Sequence, residues 1–259
     1  MTVALIHRPR ERSCRVLDVD CFAGDLQAAA EALVERSRSG RGGYACLGNA
    51  HVLVTAKHEA QLRRALDEAW LVFPDGAPIA WLQRRLGDRG ARRVGGPDLM
   101  PLVIASGVST GVRHFLLGST AGVLTQLQCN LEHAYPRARI VGSYSPTRRE
   151  LDESKPQIVE NVRISDPDVV WCAFGAPLQE LWMWRHACEL APAVLVGVGA
   201  AFDFIAGTKP RAPGWMQRSG LEWLHRLVQE PARLGGRYLR TNSEFALRAA
   251  PELMRARIR

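Results

Sequence analysis

The chain has 259 residues, 47% of them hydrophobic and 23% charged, which is enough for one large core with a small appendage. No uncharged apolar run reaches the roughly 18 residues that a membrane-spanning helix needs, and the arginine-rich N-terminus lacks the apolar stretch of a secretory signal, so we expect a cytoplasmic protein. The formal net charge is +8, and from Gly207 onward there are 11 lysine and arginine residues against 4 glutamates.

Six short apolar runs that end in Gly, Pro, Asn or Asp predict β-strands. In chain order they lie near residues 44–48, 70–73, 114–118, 140–142, 169–174 and 194–198. Apolar residues recur every three to four positions in residues 52–66, 120–133 and 178–190, which predicts helices there. Because the strands are apolar throughout, we expect helices to cover both faces of their sheet. The predicted fold is therefore α/β, a Rossmann-like largely parallel sheet with helices on both faces.

The pattern changes after Gly207. The chain is broken at Lys209-Pro210-Arg211-Ala212-Pro213, and two helical segments are predicted after it, at about residues 219–227 and 232–250. We therefore divide the chain into a core, residues 1–206, and a basic helical appendage, residues 207–259. A basic appendage on a nearly neutral core predicts an anionic partner, such as phospholipid headgroups, a diphosphate or nucleic acid.

Loops at the carboxyl ends of the strands are the candidate site, because open parallel sheets bind ligands at that edge. They are residues 49–51, 74–76, 119–120, 143–146, 175–179 and 199–203. Asp75, in Phe73-Pro74-Asp75-Gly76, is a carboxylate partly shielded by apolar neighbours, and it can have the raised pKa that a general base needs. The same spacing suits an ordinary turn aspartate before glycine, so both interpretations stay open.

Two glycine-containing turns are weaker candidates. Gly118 and Ser119 join a strand to a helix, so their backbone amides could hold a phosphate, although Ser119 or Thr120 could equally cap the helix. The run Gly197-Val198-Gly199-Ala200-Ala201-Phe202 resembles the start of a dinucleotide fingerprint, but it ends in phenylalanine and follows the last strand of the sheet. This argues against a conventional NAD site.

The residues that commonly bind metals are scattered. Asp18-Val19-Asp20 matches a pattern that can hold a divalent ion, but the polar face of an N-terminal strand is favoured because no further hard ligands accompany it. His51 is favoured as a structural histidine. The six cysteines contain no CxxC pair and are expected to be reduced. We therefore predict no metal site.

Three stretches go beyond these generic patterns. They are Phe73-Pro74-Asp75-Gly76, then Phe174-Gly175-Ala176-Pro177-Leu178-Gln179-Glu180, and a block from Gly197-Val198-Gly199-Ala200-Ala201-Phe202-Asp203-Phe204 through Arg211-Ala212-Pro213, Leu221-Glu222-Trp223, Arg226-Leu227 and Glu230-Pro231. In this order, over about residues 15–239, the sequence resembles the WecG/TagA/CpsF family of bacterial glycosyltransferases, glycosyltransferase family 26.

The resemblance implies an inverting, metal-independent transferase without a cofactor, which moves a sugar from a UDP-sugar to an undecaprenyl-diphosphate-linked acceptor. Such enzymes act in cell-surface polysaccharide or teichoic acid assembly. The basic appendage would bind the anionic inner face of the cytoplasmic membrane and complete the active site. The protein would then be cytoplasmic and peripherally membrane-bound, with a nucleotide sugar and a polyprenyl-diphosphate-linked glycan as partners.

The resemblance also implies a role for individual residues, with Asp75 as the catalytic base. The implied substrate-binding residues are Asn49, Arg93, Gln179, Arg226, Arg233 and Arg237. We add Asp203, which could accept a hydrogen bond from the base or ribose. Leu47 stands where some relatives have a threonine, which leaves the choice of donor sugar open.

Two other classes of protein are compatible with parts of the sequence. A Rossmann-type oxidoreductase or nucleotide-sugar-modifying enzyme would need a bound nicotinamide, which the incomplete glycine fingerprint disfavours. A nucleic-acid-binding protein would explain the basic appendage, but not a neutral core with loops gathered at one sheet edge. We therefore predict no nucleic-acid partner.

Overall fold

The computed structural model describes residues 13–153 and 155–258, without the side chains of Arg233, Arg237, Arg257 and Ile258. The strands are β1 (Ser13–Val16), β2 (Val19–Phe22), β3 (Gly43–Gly48), β4 (Leu71–Pro74), β5 (Arg113–Gly118), β6 (Arg139–Tyr144), β7 (Val169–Ala173) and β8 (Val194–Gly197). The helices of the first part are α1 (Leu26–Arg38), α2 (Ala50–Thr55), α3 (Ala60–Glu68), α4 (Ala77–Arg85), α5 (Gly96–Gly107), α6 (Ala121–Ala134), α7 (Arg148–Asp152), α8 (Pro156–Ile164), α9 (Leu178–His186) and α10 (Ala201–Ile205). The remaining helices are α11 (Gly214–Arg218), α12 (Glu222–Gln229) and α13 (Pro231–Ile258).

The main sheet has six strands in the order β4-β3-β8-β7-β5-β6, and every neighbouring pair is parallel. Helices cover both faces, which confirms the predicted α/β fold. Successive residues of a strand point to opposite faces. In β3, Tyr44 and Cys46 join a cluster with α2, α3 and α9, whereas Ala45 and Leu47 join a second cluster with α1, α5, α6 and α10. Burial on both sides explains why these strands are apolar throughout.

A short antiparallel hairpin of β1 and β2 precedes the sheet and lies beside its edge strand β4. Asp18 lies in the hairpin turn with a positive φ of 64°, and its side chain pairs with Lys57. The predicted N-terminal strand is thus a hairpin whose turn is tied to the segment after α2. Gln83 in α4 donates a hydrogen bond to the Phe22 carbonyl (2.9 Å), which joins the hairpin to the core.

Several predicted helices differ from the observed ones. The helix predicted over residues 178–190 ends at His186, and the one predicted over 219–227 is α12 (Glu222–Gln229). The single helix predicted over residues 52–66 is divided into α2 and α3, with a break near Lys57 and His58. No Gly or Pro signals this break. It coincides with two tertiary contacts, since Lys57 forms an ion pair with Asp18 and the His58 Nε2 lies 2.7 Å from the Glu244 carboxylate of α13. The last helix, predicted over residues 232–250, continues to Ile258.

Helix α13 is packed on the core. It contacts α2 and α4, and its side chains Leu234, Thr241, Phe245 and Ala249 are buried along one face. Glu252 accepts a hydrogen bond from the backbone amide of Leu17 in the hairpin (3.0 Å). The chain after Gly207 therefore adds to the hydrophobic core, while the proposed boundary between residues 206 and 207 stays a prediction. None of the helices described is both long and apolar enough to cross a bilayer.

We expect Phe245→Ala to destabilise the whole protein, because Phe245 is 6% exposed and belongs to the same hydrophobic cluster as the buried residues of α2. The loss should be about 3–5 kcal/mol of unfolding free energy, measured by urea titration. Leu247→Ala is the matched control: Leu247 is 75% exposed on the same helix, and its substitution should cost less than about 0.5 kcal/mol. Equal losses of unfolding free energy in both variants would contradict the packing of α13 on the core. So would a separate unfolding transition for the chain after Gly207.

Candidate active site

The carboxyl ends of β3, β4, β5, β7 and β8 meet at one edge of the sheet, beside a cavity of about 460 Å³. This volume suits a small-molecule ligand. Most of the predicted loops line it, through Asn49, His51, Asp75, Gly76, Ser119, Gly175, Gln179, Gly199 and Asp203. The predicted loop 143–146 instead lies at a shallower groove beside α6. The parallel topology thus brings residues far apart in sequence to one site, as expected.

Asp75 is held in the cavity wall by backbone contacts on both sides. Its amide donates to the carbonyl of Gly48 at the end of β3 (2.9 Å), and the carbonyl before it, of Pro74, accepts from the amide of Val94 (2.9 Å). The next residue is Gly76, whose φ of 103° is rarely accessible to residues with a side chain. These contacts fix the turn and bring Arg93 beside Asp75.

Charged groups from several segments act on the pKa of Asp75. Burial has the largest effect and raises the pKa of the Asp75 carboxyl group. The cations Arg93 and Arg226 lower this pKa, whereas the carboxylates of Glu222 and Asp98 raise it. The net result is a pKa above the usual value. The Arg93 Nε lies 3.7 Å from the Asp75 Oδ1, too far for a direct hydrogen bond, and the Arg93 Nη2 contacts the Glu222 Oε2 at 2.6 Å. Asp75 therefore holds a proton more readily than an exposed aspartate does.

Gln179 is held in a fixed orientation by its neighbours. Its Oε1 accepts from the amide of Gly175 (3.3 Å), and its Nε2 donates to the Glu180 carboxylate (2.9 Å). A Cβ on Gly197 would lie 3.1 Å from the Gln179 Nε2, so the strand end leaves room for this side chain. Glu180 is fully buried, and burial raises its pKa to about 7. Glu180 is thus a second carboxyl group of the cavity, and no local pattern in the sequence marks it as a site residue.

Asn49 both caps a helix and lines the cavity. Its side-chain oxygen accepts from the amide of Val52 in the first turn of α2 (3.0 Å). The oxygen is thus occupied, and the amide nitrogen is the part of Asn49 that can donate to a ligand. His51, also in the cavity wall, contacts Thr55 one turn further along (3.3 Å).

The two phosphate-loop candidates occupy different positions. Ser119 lines the cavity with a positive φ of 58°, whereas Gly118 is not part of the described lining. A Cβ on Gly118 would lie 2.8 Å from the backbone of Ala173, so close packing of β5 on β7 requires glycine there. Thr120, rather than Ser119, caps α6 by accepting from Val123 (3.3 Å). Phosphate binding by this turn stays a prediction.

The segment after Gly207 forms part of the cavity. Its contribution consists of Lys209, Gln217, Gly220, Glu222, Trp223, Arg226, Tyr238 and Asn242. Gly220 has a φ of 73°, and a Cβ there would lie 2.5 Å from the Cβ of Ala77 at the start of α4. This close approach fixes the loop between α11 and α12 directly against the helix that follows Asp75.

The predicted substrate-binding residues are partly gathered here. Asn49, Arg93, Gln179, Asp203 and Arg226 all line the cavity together with Asp75. Asp203 accepts from the Thr208 amide through its backbone carbonyl (3.0 Å), and the Arg226 guanidinium lies 5.8 Å from the centre of the Phe204 ring. The side chains of Arg233 and Arg237 lie outside the described residues, so their roles stay predictions.

Glu222 was not among the predicted site residues, although it is one of 4 glutamates in a basic segment and belongs to a stretch that resembles the family. An acidic residue within a basic, amphipathic helix was the available signal. Across residues 13–153 and 155–258, no group of three or more His, Cys, Asp or Glu side chains is arranged to hold a metal ion.

Comparison with protein families matches residues 14–259 to the Glycosyl transferase WecG/TagA/CpsF family. The match covers the core, the cavity and the helices after Gly207, which is essentially the whole chain. Members of this family are transferases that use a nucleotide sugar and a glycan acceptor. The chain belongs to the WecG/TagA/CpsF family of glycosyltransferases, and the protein is an enzyme of that class.

Proposed function

We propose that this enzyme is an inverting, metal-independent hexosyl- or N-acetylhexosaminyltransferase. Its donor would be a UDP-sugar, without any further cofactor, and its acceptor an undecaprenyl-diphosphate-linked glycan used in cell-surface polysaccharide or teichoic acid assembly. The observation that carries the proposal is the placement of Asp75, a carboxyl group with a raised pKa in the cavity wall beside Arg93.

In the proposed reaction, the acceptor hydroxyl oxygen forms a bond with the anomeric carbon of the donor sugar. The bond from this carbon to the diphosphate oxygen breaks in the same displacement, which inverts the configuration. Asp75 accepts the hydroxyl proton, and the electron pair leaves with the nucleoside diphosphate. A raised pKa supports this role because a base is most effective when its pKa is near the working pH.

Negative charge develops on the leaving diphosphate and needs positive partners. Arg93 and Arg226 line the cavity and fit this role, since charge-assisted hydrogen bonds from fixed donors are the strongest means of stabilising such charge. Arg233, Arg237 and the Gly118–Ser119 turn are assigned to the same role by prediction alone. Asn49 and Gln179 would orient sugar hydroxyls through their amide groups, and Asp203 would accept from the base or ribose.

The outer surface of the C-terminal segment supports peripheral binding to the anionic inner face of the cytoplasmic membrane. Its exposed apolar side chains include Trp215, Leu224, Val228, Leu239, Leu247 and Met254. Exposed arginines at positions 218, 240, 248 and 255 lie on the same helices. Apolar residues interleaved with basic ones are typical of segments that lie in the lipid interface.

Calorimetric titration with UDP-, GDP- and dTDP-linked sugars and with NAD tests the class of donor. We expect a UDP-sugar to bind and NAD not to bind. Binding of NAD without any nucleotide sugar would favour the oxidoreductase alternative, and binding of a GDP- or dTDP-sugar alone would contradict the proposed donor.

We expect Asp75→Asn to lower kcat by about 10²–10⁴-fold while UDP-sugar binding persists, because the amide cannot accept the proton. In the unsubstituted enzyme, kcat/KM should fall as the pH is lowered through the raised pKa of Asp75, since the protonated acid is no base. Asp67→Asn, at an exposed ion pair with Arg63, is the control and should change kcat by less than about twofold. Normal turnover of Asp75→Asn would remove the assignment.

We expect the double substitution Leu224→Ser with Val228→Ser to weaken binding to vesicles that contain phosphatidylglycerol. The two side chains lie one turn apart on α12, and their partial burial in lipid is worth on the order of 2 kcal/mol. Binding should therefore weaken by at least about tenfold in a co-sedimentation assay. Ile164→Ser, at an exposed position on α8, is the control. Unchanged binding of the double variant would contradict membrane contact through α12.

A further inference from the structure

A chain of alternating charges connects the Asp75 turn to the C-terminal segment. Asp75 lies 3.7 Å from Arg93, which contacts Glu222 at 2.6 Å. Glu222 lies 3.4 Å from Arg211, and Arg211 makes two parallel hydrogen bonds to the Asp98 carboxylate (2.7 and 2.6 Å). Asp75, Arg93 and Asp98 precede Gly207 in the chain, while Arg211 and Glu222 come from beyond it. We call this set the charge ladder.

The inner part of the charge ladder is shielded from solvent. The Glu222 side chain is 13% exposed, and those of Arg93 and Arg211 are 23% and 24% exposed. Shielded ion pairs are screened weakly, and removal of one partner leaves the other charge uncompensated. The ladder therefore constrains where each guanidinium group lies more strongly than exposed pairs do.

Arg93 lies at unequal distances from its two carboxylate partners. Its guanidinium makes a close contact with Glu222 and only a long one with Asp75. A close two-pronged pair with Asp75 would hold that carboxylate ionised and lower its pKa, which would make it a weak base. Glu222 competes for Arg93 and so keeps the cation near the site without neutralising Asp75.

We propose that Glu222 and Arg211 are positioning residues that hold Arg93 at its distance from Asp75 and couple the docked C-terminal segment to the reactivity of this carboxyl group. The inference deepens the proposed function and rests on it, because it takes Asp75 as the base. Neither residue needs to touch the substrate.

The proposal predicts opposite effects for two substitutions. The charged groups that act on Asp75 are Arg93, Glu222 and Arg226, together with Asp98. Glu222→Gln removes a negative charge and releases Arg93 toward Asp75, so the pKa of Asp75 should fall. Arg211→Met removes a positive charge that compensates Glu222 and Asp98, so the pKa of Asp75 should rise.

Two measurements detect the predicted shift in the pKa of Asp75. Selective ¹³C labelling of aspartate gives the titration of the Asp75 carboxyl carbon by NMR, assigned by its absence in Asp75→Asn, without dependence on turnover. The acid limb of the kcat/KM profile should move in the same direction, to lower pH in Glu222→Gln and to higher pH in Arg211→Met. We also expect kcat of Glu222→Gln to fall by about 10–100-fold, the usual effect of a small misplacement of reacting groups.

Matched variants separate charge from folding. Glu244→Gln also removes a carboxylate that joins the C-terminal segment to the core, but the partners of Glu244, His58 and Arg248, are not members of the charge ladder. It should leave the titration unchanged and alter kcat by less than about twofold. Arg211→Lys retains the charge without the paired hydrogen bonds, and it should keep the acid limb near that of the unsubstituted enzyme.

The inference would be overturned if the pKa of Asp75 moved in the same direction in Glu222→Gln and Arg211→Met. It would also be overturned if Glu244→Gln shifted this pKa by an equal amount. So would an unchanged Asp75 titration. In each of these cases, binding of a UDP-sugar and turnover by the unsubstituted enzyme would leave the proposed function standing. If the unsubstituted enzyme binds no nucleotide sugar, the proposed function fails, and the functional part of the inference fails with it.

Discussion

The parallel order of the sheet is the constraint on which the site depends. Because every strand of the main sheet runs in the same direction, the loops after β3, β4, β5, β7 and β8 open at one edge. Residues separated by more than 150 positions, such as Asn49 and Asp203, therefore line one cavity. Both faces of the sheet are occupied by helices, so this edge is where a substrate can approach the strand ends.

Closure of this edge depends on the chain beyond Gly207. Helix α13 buries Phe245 and Ala249 against the same cluster as α2, and the Gly220 turn lies against Ala77. The C-terminal segment thus has two sides with different chemistry. Its inner side adds Glu222 and Arg226 to the cavity, whereas its outer side exposes apolar and basic residues. Membrane contact and assembly of the site would then involve the same helices.

Burial and charge oppose each other at the cavity. Removal from water disfavours the ionised form of Asp75 and of Glu180, and the raised pKa of both carboxyl groups reflects this. At Asp75, Arg93 favours the ionised form and lowers the pKa, while Glu222 limits the effect of Arg93. At Glu180, Gln179 supplies a hydrogen bond to the carboxylate (2.9 Å) in place of a cation. The two acids of the cavity therefore differ in their surroundings.

The sequence by itself determined the strands, the sheet type and much of the cavity lining, because apolar runs and the residues that follow them are local patterns. Asp75, Asn49 and Gln179 could be found in this way. The break between α2 and α3, the packing of α13 and the role of Glu222 were decided by the tertiary structure alone. Lys57, His58 and Glu222 have their partners in distant segments, namely Asp18, Glu244 and Arg93. Such contacts join side chains that are far apart in the sequence and come together only when the chain folds.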